Sequence, residues 1–146
     1  MMPKSSRRVA EVIRLANLIA REYEQEYVGT EHVLLAIQRE GSGIGAAALA
    51  KRGITAEALR AQVDKLVKKQ LEETWVFGRL PGTPHFRNVM ATAVKQCNAL
   101  GAKEVCTEHV LLALHKERGS VASKALDALG ISYEDLRSDV MELTAR

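Results

Sequence analysis

A chain of 146 residues is long enough to bury one core, and 47% hydrophobic with 27% charged residues is the balance of a globular domain. Net charge is only +3, with 18 acidic residues among the 21 basic ones, too small to argue for a nucleic-acid binder. No apolar run approaches the roughly 20 residues that span a bilayer, and two cysteines, Cys97 and Cys106, do not make a disulfide framework. The reading is a cytoplasmic protein with free thiols and an aliphatic core, since aromatics make up 4%.

The N-terminal stretch reads MMPKSSRRVAEVIRLANLIA. Glu11 and Arg14 interrupt its apolar part, so it is an amphipathic helix rather than a secretory leader. Val9, Val12, Ile13, Ala16, Ile19, Ala20 and Tyr23 recur at helical spacing and predict a first helix over about Ser6 to Tyr23. Thr30 is the expected N-cap of a second helix, with Glu31 in its first turn and an uninterrupted apolar run from Val33 to Ile37. Gly41, Gly43 and Gly45 read as a flexible link. A third helix, about Ala46 to Arg52, stops at Gly53, with Ile54 reaching back to Leu49. A fourth begins near Thr55 and buries Leu59, Val63, Leu66 and Val67. The stretch from Lys68 to Thr83 holds Trp75, Phe77, Gly78, Pro81 and Gly82, and reads as a linker with aromatics packed between two halves or offered to a partner.

The plan then repeats. Thr83-Pro84 caps a helix carrying Phe86, Val89, Met90, Ala93, Cys97 and Leu100, and Gly101 stops it. Thr107 starts the next helix, Gly130-Ile131 ends the third, and Ser132 caps the fourth above Leu136, Val140 and Leu143. TEHVLLAI at Thr30 to Ile37 returns as TEHVLLAL at Thr107 to Leu114, an offset of 77 residues. At that offset Val9 to Leu66 aligns with Phe86 to Leu143 without a gap, with 20 identities in 58 positions. The expected fold is therefore all-α: a single domain of about eight helices in two pseudo-symmetric four-helix repeats, residues 5–67 and 83–144, joined by a linker over 68–82.

Chemistry is sparse. There is no phosphate loop, dinucleotide fingerprint or nucleophile elbow. His32, His109, Cys97 and Cys106 lack the spacing of a metal site, and nothing local activates either cysteine. No cofactor or metal is expected; a small metal- or thiol-dependent enzyme is a distant alternative, and a nucleic-acid binder a more distant one. Cys97 lies on an apolar stripe, and His85 and His115 read as surface or boundary residues. Glu31 and Glu108 remain: each stabilises a helix dipole, or the pair marks two symmetry-related binding points. His32 and His109 would fix local hydrogen bonds beside them.

The doubled TEHVLLA helix starts, each followed by a small-residue link and a short helix ending before Gly-Ile, resemble the Clp N-terminal repeat domain of the Clp unfoldases. REGSGIGAAAL, Arg39 to Leu49, is similar to the ClpC type in particular. The resemblance covers Ser5 to Leu143. It implies a non-catalytic domain that receives protein substrates and adaptor proteins for a Clp ATPase module, in cis or in trans, with no nucleic acid or membrane involved. It also implies a phosphoarginine site. Glu31 and Glu108 would pair with the guanidinium, Ser6 and Arg8 would hold the phosphate, and Thr83, Pro84 and His85 would be their second-half counterparts. Ser6 stands where the family has Thr, His85 where it has Arg, and Cys106 where it has Gly. On this reading Glu31 stands beside the Ser6–Arg8 turn in a competent first pocket. The second is weakened, and stronger at acidic pH where His85 is charged. A free-standing adaptor or decoy without a ligand pocket is the alternative.

Overall fold

The Ser6 hydroxyl accepts the Val9 N–H at 3.2 Å and opens the first helix, α1 (Arg7–Glu22). In the computed structural model, which describes residues 3–70 and 83–145 and side chains through 67 and from 83 onward, seven more helices follow. They are α2 (Thr30–Glu40), α3 (Ile44–Lys51), α4 (Ala56–Gln70), α5 (Pro84–Ala99), α6 (Thr107–Lys116), α7 (Val121–Ala128) and α8 (Tyr133–Thr144). Thr55, Thr83 and Ser132 cap α4, α5 and α8 through side-chain oxygens at 3.1 Å. Gly53 and Gly130 take φ of 72° and 81°, and Ile54 and Ile131 donate back to Leu49 and Leu126. The all-α, two-repeat architecture follows directly from these signals. The aromatic stretch around Trp75 and Phe77 lies outside the described residues.

The repeated octapeptide forms the middle of the molecule. Every residue from Thr30 to Ile37 in α2, and from Thr107 to His115 in α6, is buried. These helices touch each other and carry the neighbouring helices around them. The run tolerates no polar face because it has no solvent side.

Four local expectations are corrected. The helices α2 and α6 are capped by Gly29 and Cys106, so Thr30 and Thr107 are their first helical residues. Their hydroxyls are then free to reach across the repeat boundary. Thr30 Oγ1 accepts from the Ala122 N–H in α7 at 3.2 Å, and Thr107 Oγ1 from the Gly45 N–H in α3 at 3.0 Å. The expected glycine link is in fact close-packed. Gly43 caps α3 and Gly45 lies inside it, and a Cβ on Gly43 would stand 2.3 Å from Thr107 Oγ1. His115 is fully buried rather than at the surface: its Nε2 donates to Ile131 O. Gln38, its counterpart in the first repeat, donates to Ile54 O at 3.1 Å. Finally, a short parallel bridge joins β1 (Lys4–Ser5) to β2 (Glu104–Val105), which no alternation in the sequence announces.

One polar contact also fastens the halves. Asp139 on α8 is 4% exposed and takes the Arg52 guanidinium at 2.6 and 3.1 Å and the Lys51 ammonium at 3.2 Å. The Arg52 hydrogen bond holds the Asp139 carboxyl below its ordinary range.

Candidate functional site

The two helix starts that carry the glutamates are built alike. The N–H of Gly29 donates to His32 Nδ1 at 2.9 Å, and the N–H of Cys106 donates to His109 Nδ1 at 2.8 Å. Each imidazole must therefore be neutral, with its proton on Nε2. Burial pulls His32 down to about 4 and lowers His109 as well. The rings of Tyr23 and Tyr27 flank His32 at 5.8 and 5.7 Å. The backbone fixes these histidines; among the described residues no group of three or more His, Cys, Asp or Glu side chains gathers as metal ligands would.

Glu31 and Glu108 are 3% and 7% exposed. Neither has an ion-pair partner among the described residues. Burial raises the Glu31 carboxyl, partly offset by hydrogen bonds from its own backbone N–H and from the Tyr27 hydroxyl, and by the nearby His85. Burial, with the Glu31 charge beside it, pushes Tyr27 up to about 12.

The glutamates and the N-cap turns meet crosswise. The Ser6 N–H donates to Val105 O at 2.8 Å, which sets the start of α1 against the start of α6. The Ser6 hydroxyl lies by the thiol of Cys106, two residues before Glu108, and partly offsets the burial that raises that thiol. Arg8 donates from Nε to Ser42 Oγ at 3.0 Å, next to Gly43, which packs on Thr107. In the other half the Thr83 N–H donates to Val28 O at 3.2 Å, which sets the start of α5 against the start of α2. There His85 lies close enough to favour the Glu31 charge, while its Nδ1 bonds Glu117 Oε2 at 2.7 Å and Asn88 donates to the same oxygen. The expected grouping of Glu31 with Ser6 and Arg8 is thus corrected. Ser6 stands at the helix start that carries Glu108, Arg8 reaches Ser42, and Thr83, Pro84 and His85 stand with Glu31. Each half lends its first helix start to the other half's glutamate, which a one-chain periodicity does not encode.

Cysteine chemistry is not poised. Cys97 is buried with its thiol on Ala102 O, and burial raises both Cys97 and Cys106, the opposite of what a nucleophile needs. Sequence reasoning missed Tyr27 and Ser42 altogether. An aromatic two residues before the cap glycine was the available signal for the first.

This is a duplicated all-helical domain with a buried carboxylate at each of two pseudo-equivalent helix starts. The Clp repeat (R) N-terminal domain model matches residues 4–129 and again 82–146, and the chain belongs to that family. It is 33% identical over 143 residues, 98% of its length, to the "negative regulator of genetic competence ClpC/MecB" of Bacillus subtilis. It is 34% identical over the same share to a "Clp protease ATP-binding subunit ClpA homolog" of Cyanidium caldarium. The chain spans only 17% and 16% of those relatives' own lengths. Among solved structures, the N-terminal domain of ClpD from Arabidopsis thaliana superposes with a TM-score of 0.78 at 18% identity, covering 98% of this chain and 96% of that one. The Hsp104 N-terminal domain of Candida albicans gives 0.72 at 14%, covering 97% and 91%. No helix among the described residues is long and apolar enough to cross a membrane.

Proposed function

We propose that the domain is a non-catalytic receptor that takes protein substrates and adaptors for a Clp ATPase module, and that it recognises them through phosphorylated arginine side chains. The observation that supports this most is Glu108 at a helix start set against that of α1: a buried carboxylate without an ion-pair partner among the described residues, with the Ser6 N–H bonded to Val105 O just before it. A guanidinium neutralises such a carboxylate through a charge-assisted, two-pronged contact. The phosphate on the same side chain finds the free N–H groups of the first turn of α1 and the guanidinium of Arg8. The ligand thus offers a cation to the carboxylate and an anion to the helix start. Thr83 and His85 offer Glu31 a related but poorer arrangement, since His85 is turned to Glu117 and lacks the planar fork of an arginine.

Isothermal calorimetry with a phosphoarginine peptide, against the unmodified and phosphoserine peptides, tests this. The parent protein binds the first alone, and Glu108→Gln weakens it at least tenfold. No heat from the parent, or full affinity in Glu108→Gln, overturns the proposal.

A further inference from the structure

The 77-residue register holds closely where the second helix of each repeat meets the fourth. Thr55 and Ser132 cap α4 and α8 through their hydroxyls at 3.1 Å, so Ala56 and Tyr133 are each the first residue of their helix. Gln38 and His115 donate to Ile54 O and Ile131 O just ahead of those caps. Within this shared frame the second repeat carries a ring. Tyr133 packs half-buried against the core, and its hydroxyl accepts the Gln96 amide at 2.9 Å. The Lys116 ammonium lies over the ring, 5.4 Å from its centre.

In the first repeat the residue at that place is the exposed Ala56. Leu35, Gln38, Arg39, Ala56 and Arg60 line a surface pocket of about 140 Å³ there. The register sets Leu35, Gln38 and Arg39 on Leu112, His115 and Lys116, so Arg39 stands where the second repeat puts a cation over its ring. Glu22 positions both guanidiniums of the rim: it takes Arg39 at 2.8 and 3.1 Å and lies 3.7 Å from Arg60. Arg60 already covers one ring, that of Tyr23, at 4.8 Å. The negative face of an aromatic ring complements these cations, and its body suits the buried Leu35 and the Ala56 methyl. An aliphatic side chain would match only the second of these. Ile19 stands where Gln96 meets the Tyr133 hydroxyl, which favours a ring that carries no hydroxyl.

We infer that the pocket between α2 and α4 takes an aromatic side chain, phenylalanine before tyrosine, from a bound protein segment, in the place where the second repeat supplies its own Tyr133. Only the source of the ring, a substrate or adaptor protein, rests on the proposed receptor reading; the pocket itself needs no phosphate. NMR of the labelled protein with capped Gly-Phe-Gly, Gly-Leu-Gly and Gly-Ala-Gly peptides at millimolar concentration tests it. The phenylalanine peptide moves the methyl signals of Leu35 and Ala56 and the Nε signals of Arg39 and Arg60, and the other two leave them in place. Ala56→Tyr installs the second repeat's own residue and removes the response at Leu35. Arg39→Gln, a change at an exposed side chain, weakens the phenylalanine peptide roughly two- to fivefold. No response in the parent, an equal response to the leucine peptide, or a parent-like response in folded Ala56→Tyr overturns the inference, as does unchanged affinity in Arg39→Gln. Failure of the phosphoarginine peptide in calorimetry defeats that site and leaves this one standing.

Discussion

Acidification should unfasten the first repeat through His32, and the size of the effect follows from its surroundings. His32 is wholly buried, its Nδ1 accepts the Gly29 N–H at 2.9 Å, and its Nε2 has no partner among the described residues. A proton on Nδ1 removes the acceptor and places a charge beside two tyrosine rings. Burial therefore takes the group from an ordinary 6.5 down to about 4. In the unfolded chain His32 gains its proton near 6.5, whereas the fold resists it until about 4. The stability is fully present above the unfolded value and is lost as pH falls between the two. At 1.36 kcal/mol per unit the loss comes to about 3 kcal/mol. His109 adds in the same direction. Glu31 runs the other way: its carboxyl is raised in the fold, so protonation below its folded value relieves the cost of a buried charge. The comparison variant is His32→Gln, because glutamine at that helix position can still accept the cap N–H but does not titrate. Urea unfolding at steps from pH 7 to pH 4 should show the parent losing about 3 kcal/mol more than the variant. Parallel losses in both proteins would refute the reasoning, whatever the variant's stability at pH 7.

Thr30→Val and Thr107→Val each strip an acceptor from a buried N–H across the repeat boundary, and should each cost about 1–3 kcal/mol in chemical denaturation. A large cost for one and none for the other would contradict their equivalence. Asp139→Asn leaves Arg52 and Lys51 without their carboxylate and should lower stability in the same assay, with the difference from the parent vanishing at a pH below the carboxyl's depressed value. Glu24 holds φ at 56° where the second repeat has Gly101 at 70°, so Glu24→Gly should raise stability by about 0.5–1 kcal/mol; a destabilised variant would refute this.

Much of the fold was legible because helix ends announce themselves locally. Ser6, Thr83 and Ser132 are hydroxyl caps, and Gly53-Ile54 and Gly130-Ile131 are glycine stops whose bonds close within a few residues. What stayed hidden lies across the repeat boundary. Thr30 looks like a cap because the usual partner of a cap hydroxyl is three residues away, but its partner here is Ala122. His115 looks like the polar end of an apolar run, although the 77-residue register pairs it with Gln38 and Ile131 with Ile54, and that correspondence was available before any coordinates. The site residues themselves were named from the resemblance. Their grouping was not, since apolar spacing tells which face of a helix is buried and not which half of the molecule buries it.

The crosswise site is the claim on which the functional account turns, and amide NMR shifts locate it most directly. On addition of a phosphoarginine peptide, the amides of Ser6 to Arg8 and Thr107 to His109 should move together, while those of Gly29 to His32 stay largely in place. Shifts shared by Ser6 to Arg8 and Gly29 to His32, with Thr107 to His109 unmoved, would contradict it.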